Sequence, residues 1–145
     1  MKILSKWISI ASRYSQIYTT KQFERMGLGS GQFMFIICIC QHAGFTQEQI
    51  AEELSLNKST VTRAVASLQA DGFACKEDDA YDRRVSHIFP TPKAIALYPK
   101  IVETMDRWND ILLEGFTEAE AVQAESILMR ITENAMRNAK KEIGV

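Results

Sequence analysis

The run Asn57-Lys58-Ser59-Thr60-Val61-Thr62-Arg63 surrounds one apolar residue with hydrogen-bonding side chains, most of them short. Short polar side chains on one helix face can approach the base edges that a major groove about 12 Å wide exposes to a helix. Asn57 and Lys58 stand where a helix N-terminus meets a phosphate. The span 54–70 carries Lys58 and Arg63 and no acid. A second run, Asp82-Arg83-Arg84, concentrates charge where turn residues cluster. An ordinary solvated helix face and a self-contained surface ion pair, which adds little stability, would explain either run alone. Their combination points to nucleic acid.

Other chemistry has less to work with. Cys38 and Cys40 lie two apart on a predicted helix, so their side chains diverge by about 200° and share no metal. Cys75, His42 and His87 complete the inventory of soft ligands, so the cysteines read as small buried hydrophobes and no metal or cofactor is expected. Cys75, alternating with Phe73, is predicted to be buried. No paired carboxylates, nucleophile–base set or phosphate-binding glycine loop stands out, so no catalytic residue is assigned and an enzyme is not expected.

Composition leaves room for one ordinary domain, or a small lobe with an assembly element: 145 residues, 46% apolar and 24% charged. The formal charge of −1 announces no partner, so a basic surface has to be local. Trp7–Ala11 is too short for a signal-peptide core, and the apolar run 33–40 falls well below the roughly 20 residues that span a bilayer. A cytoplasmic chain without membrane contact is expected.

The elements that must position these residues follow from periodicity and punctuation. Ile3, Leu4, Trp7, Ile8, Ile10, Ala11, Tyr14, Ile17 and Tyr18 predict a first helix over 3–25 with a broad apolar face, broken by glycines at 27–31. Ser30 is the expected cap of a second helix, apolar nearly all round, ending at His42 and Gly44, with His42 near the last carbonyls. Thr46 and Gln49 form a capping box for a two-turn third helix. Asn57 caps a fourth over 58–71, closed by Gly72, with Val61, Ala64, Val65 and Leu68 inward and Ser59, Thr62, Arg63 and Ala66 outward. Strands over 73–77 and 85–89 flank a charged tip at 78–84. Thr91 and Pro92 open a fifth helix, with Pro99 expected to bend it, and Thr117 with Glu120 opens a sixth reaching 142. The fold class is mainly α with a small β-hairpin wing.

Two short helices joined by a tight turn, then a charged hairpin, make a winged helix-turn-helix. The ordered set Thr46-Gln47-Glu48-Gln49-Ile50-Ala51, Asn57 to Arg63, Leu68-Gln69-Ala70-Asp71-Gly72-Phe73 and Asp82-Arg83-Arg84 before a Thr-initiated helix resembles the MarR family of bacterial and archaeal regulators. The resemblance covers essentially the whole chain. It departs where the family often has Leu-Thr and then Gly, since this chain has Pro90-Thr91 and Ala94. It also lacks the first-helix cysteine of the peroxide-sensing branch.

The resemblance implies a winged lobe over 30–91, with 1–29 and 92–145 forming a helical homodimerisation region from helices one, five and six. It implies double-stranded DNA as partner, with Asn57, Lys58, Ser59, Thr60, Thr62, Arg63, Arg83 and Arg84 at the contact. Asp82 would brace the wing while Arg84 reaches a narrow A·T-rich minor groove. A dimer would read a pseudo-palindrome with half-sites about 10 bp apart. The expected function is transcriptional regulation, chiefly repression relieved by an effector. Trp7, Tyr14, Tyr18, Tyr98 and Trp108 would suit an aromatic effector, although core and dimer packing explains them as well. The competing reading is a winged-helix adaptor that binds protein, which would present an apolar or acidic face where Lys58 and Arg63 stand.

Overall fold

Apolar residues three and four apart, punctuated by glycine, fold into six helices in a computed structural model that describes residues 1–142. The end of the expected 92–145 region, residues 143–145, lies outside the described residues. The helices are α1 (Leu4–Glu24), α2 (Gln32–Gln41), α3 (Gln47–Leu54), α4 (Lys58–Ala70), α5 (Pro92–Leu112) and α6 (Glu118–Glu142). Strands β1 (Phe45–Thr46), β2 (Ala74–Asp78) and β3 (Ser86–Pro90) form an antiparallel sheet in the order β1-β3-β2. The expected hairpin is therefore the larger part of a three-stranded sheet. β1 pairs Phe45 with Ile88 and Thr46 with His87, and at two residues it is too short to show alternation.

The helix starts mostly follow their caps. Thr46 and Gln49 exchange both capping-box bonds, and Thr117 does the same with Glu120. Thr91 Oγ1 accepts from the Ala94 N–H and donates to the Gly72 carbonyl, joining the start of α5 to the turn after α4. Gly44 and Gly72 take the left-handed backbone that ends α2 and α4, at φ 93° and 78°. α5 continues through Pro99.

Three local expectations are corrected. Ser30 does not cap α2; Gly31 does, in the left-handed region, without a side-chain bond. Gln32 takes over the ordering, since its Oε1 accepts the Gly29 N–H and its Nε2 donates to Ser67 Oγ and Asp71 Oδ2. The side chain of His42 stacks on Phe45 and lies 3.7 Å from Glu53, away from the helix carbonyls. Cys75 is exposed, because β2 is the edge strand and only its first residue, Ala74, is buried.

The chain divides into two compact units, one up to Asp106 and one beginning at Arg107. The core of the first joins Phe35, Ile36 and Ile39 of α2 to Ile50, Val61, Val65, Leu68, Phe73, Ile88, Ala94 and Ile101. Burial of each large apolar side chain here contributes about 1.5–3 kcal/mol. Cys38 belongs to this core; burial, then the charge of Glu53, pushes its thiol up to about 11, and Cys40 is raised by burial alone. Both remain thiols at neutral pH. Among the described residues no helix is long and apolar enough to cross a membrane.

Candidate nucleic-acid interface

α4 is anchored along one edge and open along the other. Val61, Val65 and Leu68 are completely buried, while α3, α2 and β2 pack beside the helix. The 3.6-residue period then turns Ser59, Thr62, Arg63 and Ala66 to solvent, with Asn57 and Lys58 exposed at the entrance and Thr60 half-buried.

These side chains are not equally free. Asn57 is extended, and its Oδ1 accepts the Thr60 N–H and the Ser59 hydroxyl, both at 2.8 Å. Its acceptor is spent on the cap. Thr62 Oγ1 lies 2.8 Å from Gln47 Oε1 and 2.9 Å from the Lys58 carbonyl, so its single proton is engaged within the protein. The side chains of Lys58, Arg63 and Arg83 make no hydrogen bond or ion pair to the described residues. Lys58, Ser59, Thr62 and Arg63 line one open hollow.

The wing is held by carboxylates. Asp79 N–H donates to the Val85 carbonyl and Val85 N–H to the Asp82 carbonyl, closing the tip. Asp82 Oδ1 accepts from the Arg84 backbone at 3.0 Å and from its Nε at 3.1 Å, while Oδ2 accepts from Nη2 at 3.1 Å. The guanidinium first, and the backbone N–H second, hold the Asp82 carboxyl below its usual range. Arg84 is nevertheless 90% exposed, and three of its five N–H groups remain available. Tyr81, 99% exposed, and Arg83 stand beside it.

A cleft of about 290 Å³ runs between α4 and the wing, lined by Thr46, Gln47, Glu48, Lys58, Lys76, Arg84, Val85 and Ser86. Lys58, Lys76 and Arg84 put three positive groups against one acid there. Lys76 and Gln47 escaped sequence reasoning. A lysine on the exposed side of an edge strand beside a wing was the available signal for Lys76; Gln47, the first residue of α3, carried none.

Trp7 and Tyr14 are 57% and 61% exposed on α1, and Tyr98 hydroxyl accepts from Gln41. A cavity of about 370 Å³ in the first unit is lined instead by Gln16, Thr19, Phe23, Leu28, Phe33 and Met34 among others.

Comparison with known proteins gives a consistent picture. A family model described as the MarR family matches residues 26–85. The chain is 26% identical over 138 residues to an uncharacterized HTH-type transcriptional regulator, YybA, of Bacillus subtilis strain 168, covering 95% of this chain and 92% of that protein. It is similar to a crystal structure of a MarR transcriptional regulator from Methanosarcina mazei Go1, at 31% identity and a TM-score of 0.84 over 94% of this chain and 99% of that one. A Listeria monocytogenes chain described as a putative MarR family transcriptional regulator, solved complexed with 26mer DNA, aligns at 28% identity and a TM-score of 0.91, covering 99% and 97%.

Proposed function

Because this chain belongs to the MarR family of transcriptional regulators, we propose that it binds double-stranded DNA in the cytoplasm as a homodimer and represses transcription until a small effector releases it. The observation that carries this reading is the outward face of α4, short, polar and acid-free, beside a wing that ends in an exposed, pre-oriented arginine. Lys58 and Arg63 supply charge at the groove, with Ser59, Thr60 and Thr62 allowing close approach and Asn57 setting the helix start. Arg83 and Arg84 serve the backbone and minor groove, with Asp82 as brace.

Two exposed apolar faces support the dimer. α1 exposes Leu4, Trp7, Ile8, Tyr14 and Ile17, with Ile3 exposed just ahead of it; α6 buries no residue and exposes Val122, Ile127, Leu128 and Met129. Contiguous apolar surface of this kind marks an interaction site, and a second copy covers it in this reading, with 30–91 as the DNA lobe and the flanking segments as the dimer region. The cavity beside Phe23 and Phe33 is of a size that suits a small aromatic effector.

The test is selection of bound sequences from a random pool of duplex DNA. An inverted repeat with half-sites about 10 bp apart is expected. A pool without enrichment would overturn DNA recognition and leave the adaptor.

A further inference from the structure

His87 stands on β3 between two acceptors. Its Nδ1 lies 2.8 Å from the Gly44 carbonyl and its Nε2 lies 2.7 Å from Asp79 Oδ1. A peptide carbonyl has no proton to give, so Nδ1 carries one. The other oxygen of Asp79, Oδ2, accepts the backbone N–H groups of Tyr81 and Asp82 at 3.0 Å each. A carboxylate engaged in this way is ionised, and the imidazole first, then the two N–H groups, hold Asp79 below its usual range. It too can only accept, so Nε2 carries a proton as well. Only the imidazolium satisfies both contacts.

The two contacts join separate parts of the first unit. Gly44 belongs to the link between α2 and β1, whereas Asp79 begins the wing loop and, through Asp82, leads to the Arg84 guanidinium. We propose that charged His87 is a positioning residue for the wing, clasping the loop to the α2–β1 link so that Arg84 is held for DNA, and that DNA affinity falls as the clasp loses its proton. This rests on the DNA-binding reading above.

The ionisable groups facing His87 are Asp79 in the loop and Glu77, its partner across the β2–β3 ladder; β1 opposes it with uncharged Thr46. α3 begins beyond Thr46 with uncharged Gln47, and its Glu48 is solvent-exposed. The Asp79 bond, then the Gly44 carbonyl, raise the imidazole above its ordinary 6.5 against the effect of desolvation. A raised histidine keeps its contribution below the ordinary value and loses it as pH rises through the raised one. A neutral ring retains one proton and turns a lone pair on either the carbonyl or the carboxylate.

Two measurements on the full chain test this. Nitrogen-15 NMR of the free protein should show both His87 ring nitrogens protonated below the ordinary 6.5, with a midpoint above that value that drops in Asp79→Asn. A midpoint at or below the ordinary value, unmoved by Asp79→Asn, would overturn the clasp. Affinity for the selected operator at constant ionic strength should fall roughly threefold to tenfold between about pH 6 and about pH 8.5, and His87→Gln should abolish that slope. Asp79→Asn, which keeps a loop acceptor, serves should His87→Gln fail to fold. Wild-type binding that is strong but equally pH-dependent in the variants, or flat, sinks the clasp and spares the DNA reading. Wild-type binding absent at every pH sinks both.

Discussion

Arg63 is the sharpest test at the scale of single residues, because its side chain has no partner to the described residues while its neighbour Thr62 is already tied to Gln47 and the Lys58 carbonyl. Arg63→Ala should weaken operator binding by about 1–3 kcal/mol if the guanidinium reads a base, and less if it meets only phosphate. A gel-shift titration decides; unchanged affinity removes Arg63 from the interface. Asp82 separates bracing from charge. Removing an acid from the wing tip should improve DNA binding on Coulomb grounds alone. Asp82→Asn is instead expected to weaken it several-fold, because it loosens the paired grip on Arg84. Tighter binding by that variant would mean the brace does nothing.

At the scale of elements, much was legible. The polar run from Asn57 to Arg63 and the apolar spacing of Val61, Val65 and Leu68 are local facts, and α4 starts and faces as they require. Asn57→Ala removes the acceptor for the Thr60 N–H and should cost about 0.5–2 kcal/mol of stability, read as a shift in the urea midpoint. No shift would mean water replaces the cap at no cost. The misses share a cause. Ser30 had the composition of a cap, but Gln32 reaches Ser67 and Asp71, more than thirty residues away, and Gly31 begins α2. β1 declared itself only through its pairing with β3. Cys75 alternated with Phe73 as a buried strand residue would, yet β2 lies at the sheet edge.

For the whole molecule, assembly and electrostatics can be tested without the operator's details. Trp7 is exposed on the single chain, so Trp7→Glu should leave the fold intact and bring the sedimenting mass down to the 16.4 kDa of one chain. A dimer that survives this change would place the twofold contact elsewhere. Log affinity should fall with log salt at a slope that reports roughly six or more phosphate contacts in the proposed dimer, since the net charge of −1 leaves attraction to the local cluster of Lys58, Lys76 and Arg84. A flat response would remove the electrostatic basis of the interface. What the sequence determined by itself was the set of helices, the side-chain caps of α3, α4 and α6 and the outward polar face of α4, because periodicity and capping act between residues a few positions apart. Only the tertiary structure decided which polar groups are already spent, that Lys76 joins Lys58 and Arg84, and that His87 faces both Gly44 and Asp79. Those relations depend on distance in space between residues far apart in the chain, which no local pattern encodes.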